Sequence, residues 1–257
     1  MNILFTICGR AGSKGLKNKN LKIMNGAPLS YYTLAAIRLY QQHHPEQKVH
    51  VALNTDSPEL MQLCREQKLV PGVHIVPRKE ALAGDRVAKV DVIQDTYRAI
   101  VNEGQSINLV VDLDLTSPMR RVQDIEQAIA VSRKGSYDVV YSVVPSRRSP
   151  YFNMVEQKAD GSYGQVCEAH FTARQQVPAV YEMNASIYVY RTEFLAEPIT
   201  KGILDYHDSI FVMPDYLVLD IDSEEDFLMM QRVMNYFVDT DAGLREIVQT
   251  AQQAAPA

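Results

Sequence analysis

The chain has 257 residues, 46% of them hydrophobic and 22% charged, with a formal charge of −5. That length supports one large domain with a full core, and the acidic balance excludes a general nucleic-acid binder, whose affinity would come from clustered cations. Apolar runs fall short of the roughly eighteen residues of a membrane span, Met1 leads straight into a strand pattern, and Cys8, Cys64 and Cys167 show no pairing or zinc spacing. The expectation is a cytoplasmic protein with packed cysteines and no membrane contact.

Ile3 to Ile7 reads as a first strand. It feeds Arg10-Ala-Gly-Ser-Lys-Gly-Leu-Lys-Asn-Lys-Asn-Leu21, a run with four cations, two glycines and no acid. Glycines let the backbone approach a ligand closely, and free amides with Lys and Arg heads attract phosphate. Such a run also fits a plain solvated loop. Its spacing excludes two familiar phosphate sites. Gly9, Gly12 and Gly15 are three apart and no Gly-Lys-Ser/Thr follows, so it is not a P-loop. It contains no Gly-x-Gly opening a helix, so it is not a dinucleotide fingerprint.

Pro28 opens a helix that continues from Leu29 to Tyr40. Residues 49–53 form a strand, and Ser57 caps a helix running to about Lys68. Residues 73–76 form a short strand, and Val90, Ile93, Tyr97 and Ile100 give helical spacing over 87–103. Residues 107–111 form a strand running into Asp112-Leu113-Asp114, followed by a helix at 122–134 and a strand at 138–143. Strands separated by helices of this length predict an α/β fold, a mostly parallel sheet with helices on both faces. Its ligand site would lie beyond the carboxyl ends of the strands.

The rhythm breaks over 145–185, which reads as hairpins or an excursion. The sheet resumes at 185–190, and 216–220 adds a strand. Ser223 and Asp226 form a capping box on a final helix, 224–238. The domain therefore spans 1–240 with 241–257 as a C-terminal tail, of which the Ala/Gln-rich stretch after Thr250 reads as frayed.

Alternation along a strand would place Asp220 and Asp222 on one face, and likewise Asp112 and Asp114. Two like charges on one face call for a cation, and paired carboxylates with phosphates suit Mg²⁺. Taken alone, the Asp220/Asp222 pair also fits a helix cap with a solvated neighbour. Arg78, Asp85, Arg86 and Lys89 read singly as surface charges. The six histidines lack metal spacing, and Gly-x-Ser-x-Gly is absent, which argues against a zinc enzyme or serine hydrolase.

Together these residues resemble the acylneuraminate cytidylyltransferases, the CMP-sialic acid synthetases. The matching blocks run in order: Arg10 to Leu21, Arg78 to Asp85, Thr116 to Arg120, Arg174 to Tyr188, and Asp220 to Phe227. The resemblance implies a Rossmann-like nucleotidyltransferase, usually a homodimer through an inserted segment, here within 145–185. It implies that CTP and a nonulosonic acid are joined into a CMP-sugar and pyrophosphate. By position, Arg10 and Lys19 would contact the triphosphate, with Ala11, Gly12 and Ser13 wrapping it. Asn20 and Arg78 would hold the nucleotide, and Asp220 and Asp222 would ligate Mg²⁺. Arg174 would face the sugar carboxylate, with Asp112, Asp114, Asn184 and Tyr188 on the sugar side. The proton acceptor is open between Asp220 and a metal-bound hydroxide.

Asp114 stands where sialic-acid enzymes typically carry Gln. With Pro145 to Asn153 and Tyr181 to Ser186 it is similar to the bacterial CMP-legionaminic acid synthase branch. A carboxylate only accepts hydrogen bonds, which suits a sugar presenting acetamido N–H groups. CMP-N-acetylneuraminic, pseudaminic and Kdo synthetases are the alternative readings, and a non-catalytic nucleotide binder is a more distant one.

Overall fold

The computed structural model describes residues 1–12 and 15–255, the Arg174 side chain excepted. The first strand, β1 (Asn2–Gly9), is followed by the two-residue strands β2 (Ile23–Met24) and β3 (Ala27–Pro28) and by helix α1 (Leu29–His43). Most residues of α1 up to Tyr40 are buried, and Tyr40 packs edge-on against Phe5 with ring centroids 5.2 Å apart. Strand β4 (Lys48–Thr55), helix α2 (Pro58–Glu66), strand β5 (His74–Pro77), helix α3 (Lys89–Asn102) and strand β6 (Leu109–Leu113) follow. Ser57 caps α2 by accepting from the Leu60 amide at 3.2 Å, and Pro58 fills the first helical position.

Helix α4 (Val122–Lys134) and strand β7 (Val139–Pro145) lead into a hairpin of β8 (Val155–Gln157) and β9 (Tyr163–Gln165). Strand β10 (Tyr181–Arg191), the short helix α5 (Thr192–Ala196), strand β11 (Asp208–Val212) and helices α6 (Glu224–Val238) and α7 (Ala242–Ala254) complete the chain. The capping box of Ser223 and Asp226 at the start of α6 forms as its spacing predicts.

The main sheet has the order β11-β7-β10-β6-β1-β4-β5. All its pairings are parallel except those of β10, which runs antiparallel between β6 and β7. After β1 the chain steps outward through β4 and β5, then returns to the other side of β1 as β6. The order therefore reverses between β1 and β6, and a crevice opens beyond their carboxyl ends. Apolar side chains fill both faces of the sheet, the larger cluster lying under α1, α4, α6 and α7.

Two expectations are corrected. Residues 216–220 form no strand: Asp215–Leu217 is a 3-10 turn, and the place beside β7 goes to β11. The stretch after Thr250, expected to be frayed, instead continues helix α7 as far as Ala254. Leu244, Ile247, Val248 and Ala251 make a buried stripe on α7, which packs against α1.

Candidate active site

The basic loop leaves β1 at Gly9 and bends over the crevice. Arg10 forms an ion pair with Asp85, and the Ala11 amide donates to Asp56 Oδ1 at 2.7 Å. Lys19 reaches across the chain, donating to the Ile221 carbonyl at 2.7 Å and to Asp222 Oδ1 at 3.2 Å. Gly15 closes the same contact from the backbone side. A Cβ at that position would lie 2.0 Å from the Asp222 carbonyl oxygen, so only glycine lets the two segments meet. Asn20 is buried and its Oδ1 has no hydrogen-bond partner, which leaves an acceptor for a hydroxyl or amino group. Arg78 is aimed by Asn54, donating through Nε to its Oδ1 at 3.0 Å and through NH2 to its carbonyl at 3.1 Å.

These groups line one cleft of about 340 Å³, together with Asp114, Thr116 and Asp222. A wider groove of about 750 Å³, among α1, α2 and α7, holds none of the sequence-predicted residues.

Asp220 and Asp222 arrive on a loop, so strand alternation does not orient them. Ile221 between them is the anchor: its side chain is fully buried and its amide donates to the Thr116 carbonyl at 3.0 Å. Asp222 is largely exposed, with Lys19 as its cation. Asp220 lies deeper and accepts from Ser117 Oγ at 3.4 Å. Burial, then the nearby Asp114 charge, pushes the Asp220 carboxyl above its usual range against the pull of Thr116 and Lys19. Hard oxygen donors with a local surplus of negative charge fit Mg²⁺, which takes one or two carboxylates and completes its shell with phosphate and water. Among the described residues, no group of three or more His, Cys, Asp or Glu side chains forms a closed metal cage.

At the end of β6, Asp112 and Asp114 do point to one side, and Lys89 from the start of α3 lies 2.6 Å from a carboxylate oxygen of each. Asp112 is fully buried and also accepts from Thr6 Oγ1 at 2.7 Å, so it backs the cleft rather than facing a substrate. Asp114 accepts from the Thr116 amide and hydroxyl at 2.9 and 2.8 Å as well as from Lys89. Burial alone would raise its carboxyl, but Lys89 and Thr116 outweigh that and hold it far below the usual range.

Asn184 is a correction. It is buried, donating to the Leu217 carbonyl at 3.0 Å and accepting from Ser142 at 2.6 Å, so its amide braces the sheet and is not offered to a sugar. Tyr188 stands with its ring centroid 5.5 Å from Lys89 Nζ. Ser13 and the Arg174 side chain lie outside the described residues.

Sequence reasoning missed Lys89 and Arg120 as parts of the site. Arg120 is fully buried and donates to the carbonyls of Asp114 and Ser117. A cation inside an apolar-flanked Thr-Ser-Pro-Met-Arg run was the signal for Arg120. Lys89 gave none, because the whole of helix α3 separates it in sequence from its partners. Cys8 lines the cleft too, but burial first and Asp112 second push its thiol well up, so it is no nucleophile.

Comparison with known proteins gives a consistent neighbourhood. Residues 4–254 match the family described as cytidylyltransferase. The chain is 33% identical over 231 residues to the CMP-N,N'-diacetyllegionaminic acid synthase of Campylobacter jejuni, covering 89% of this chain and 93% of that protein. It is also 33% identical to the post-translational flagellin modification protein B of Campylobacter coli, with the same coverage. Identity to an N-acylneuraminate cytidylyltransferase of Streptococcus agalactiae is 26%, over 89% of this chain and 52% of that protein. Among solved structures, CMP-2-keto-3-deoxy-manno-octonic acid synthetase complexed with CTP shares the fold, with a TM-score of 0.64 at 14% identity, covering 92% of this chain and 99% of that one. The 4-diphosphocytidyl-2C-methyl-D-erythritol synthase of Anaerococcus prevotii does so at 0.60 and 14%, over 91% and 98%.

Proposed function

The chain belongs to the cytidylyltransferase family, and from that premise we propose that it joins CTP to N,N'-diacetyllegionaminic acid, giving the CMP-sugar and pyrophosphate. The observation that carries the chemistry is the meeting of Arg10, Lys19 and Asp222 in one cleft, although Lys19 and Asp222 are 203 residues apart in sequence. The observation that favours this sugar is Asp114, an acceptor-only side chain at the cleft, taken with the likeness to the Campylobacter jejuni enzyme.

In this reading the sugar's anomeric hydroxyl attacks the α-phosphorus in line. Arg10 leaves Asp85 and Lys19 turns from Asp222 to take up triphosphate charge, which falls most heavily on the leaving pyrophosphate. Asn20 offers its free amide oxygen to a nucleotide hydroxyl or amino group, and Arg78 adds a fixed cation. Asp220 and Asp222 would hold Mg²⁺, which when bound neutralises phosphate charge and orients the phosphates. Catalysis is then positioning plus electrostatics, and losing one such contact typically lowers turnover by about 10²–10³-fold.

The test is a panel of N,N'-diacetyllegionaminic, N-acetylneuraminic, pseudaminic and Kdo acids with CTP and Mg²⁺, scored by pyrophosphate release. The highest kcat/KM should fall on the diacetyllegionaminic acid. A preference for N-acetylneuraminic acid would move the enzyme to the sialic-acid reading. Asp222→Ala should abolish Mg²⁺-dependent release, and near-normal turnover in that variant would remove the metal assignment.

A further inference from the structure

Among the described residues, Lys89 is the one cation lining the cleft to which the resemblance assigns no role. Its ammonium lies 2.6 Å from Asp112 Oδ2 and 2.6 Å from Asp114 Oδ2. One N–H donates to Asp114 Oδ2, and the contact with Asp112 Oδ2 is a close ion pair without hydrogen-bond geometry, so of the ammonium's three donors at least one remains. The side chain keeps a third of its surface open, and it lines the cleft beside Asp114 and Thr116. The Tyr188 ring stands to one side of it. Asp112, wholly buried behind, also accepts from Thr6, so the ammonium is held against a rigid strand.

The charges decide what the remaining donor can take. Lys89 and the buried Arg120 together only balance Asp112 and Asp114, so this corner offers no surplus positive charge to draw a triphosphate or the sugar's own carboxylate out of water. An uncharged oxygen needs no such surplus. Because the carboxylates already fix the ammonium, binding costs little further side-chain entropy.

We infer that Lys89 is a specificity-determining residue for the sugar, donating its remaining N–H to a hydroxyl or acyl carbonyl oxygen while Asp114 accepts from a neighbouring N–H or O–H. This rests on the cytidylyltransferase reading above. A sugar presenting a donor and an acceptor on adjacent carbons satisfies both groups at once, whereas one that places its carboxylate here is rejected.

The test separates the donor from the charge. Lys89→Met alone strands two carboxylates, whereas Lys89→Met with Asp112→Asn restores the net charge of the trio without restoring the donor. Pyrophosphate release is measured with the best sugar of the panel, varying sugar and CTP in turn, and each variant is melted thermally. The double variant should melt near the wild type and show a sugar KM raised about tenfold or more, with the CTP KM unchanged. Recovery of the wild-type sugar KM in the double variant would mean that Lys89 only balances charge, and would overturn the inference. A rise confined to the CTP KM would overturn it too. Should the double variant fail to fold, Lys89→Arg keeps the charge but moves the donor. A raised sugar KM there supports the contact, and an unchanged one refutes it. A wild-type protein that releases no pyrophosphate with any sugar fails earlier, at the functional reading, and takes this inference with it.

Discussion

Arg120 shows how a single side chain can set the geometry of a site without facing the cleft. Its guanidinium is fully buried and spreads its donors over the Asp114 and Ser117 carbonyls, Ser186 Oγ at 3.1 Å and Thr33 Oγ1 at 3.3 Å. Burial lowers its pKa to about 10, still far above neutrality, so the charge persists. Those bonds pin the turn that carries Asp114, Thr116 and Ser117. Arg120→Met would strand two buried carbonyls and is expected to cost about 3 kcal/mol or more, read from the denaturant midpoint. Arg120→Lys should rescue little, because one ammonium cannot span four acceptors in a fixed fork.

The neighbouring Asp114 gives a pH signature. Its folded pKa is depressed by Lys89 and Thr116, so the unfolded chain binds the proton first as pH falls. The stability it contributes is present above about pH 4 and is lost on acidification. The gap in unfolding free energy between wild type and Asp114→Asn should therefore shrink as pH drops below 4. A gap that stays constant from pH 6 to 3 would contradict the ion-pair assignment.

At the level of elements, the sequence revealed those features whose chemistry is local. Ser57 and Ser223 sit at helix starts because a hydroxyl can accept from an amide three residues on, and both caps form. Helices 122–134 and 224–238 end where their apolar spacing ends. The failure at 216–220 is equally physical. A short apolar run is compatible with a strand or a buried turn, and periodicity cannot separate them. Leu217 and Ile221 are buried as core plugs, which delivers Asp220 and Asp222 on an irregular loop. The site was legible where one segment supplied several groups, as in the basic loop. It was illegible where α3 and β6 had to meet, as in the trio of Lys89, Asp112 and Asp114.

Helix α7 was misread from its Ala and Gln content, yet its apolar stripe was present in the sequence. Asp241 caps it by accepting from the Leu244 amide at 2.8 Å. Removing residues 242–257 would expose the face of α1 that it covers. Losing the burial of Leu244, Ile247 and Val248 is expected to cost on the order of 5 kcal/mol. The truncated chain should melt well below the full chain or be recovered insoluble. Equal melting temperatures would show that the helix adds nothing.

At the scale of the whole molecule, the reversal of strand order beside β1 explains why the cleft lies where it does, and the excursion after β7 raises the question of assembly. That excursion carries a two-stranded hairpin, β8 with β9, separate from the main sheet. An isolated two-stranded hairpin is at best marginally stable in water. Around it Phe152, Met154, Val155, Tyr163, Tyr181 and Met183 are exposed, Val155 by 68% and Tyr163 by 71%. Several large apolar side chains left exposed on one excursion of the chain mark an interaction site rather than a solvated surface. A second copy of the chain is the occupant proposed here, because the two-fold pairing of one patch with itself needs no other partner. Light scattering after size exclusion should then give twice the 29.0 kDa chain mass at micromolar concentration. Val155→Asp with Tyr163→Glu would bury four unpaired charges per dimer and should shift the species to 29.0 kDa. Both positions face solvent in the single chain, so its melting temperature should change little. A wild-type chain that elutes at 29.0 kDa under the same conditions would leave the hairpin without this partner.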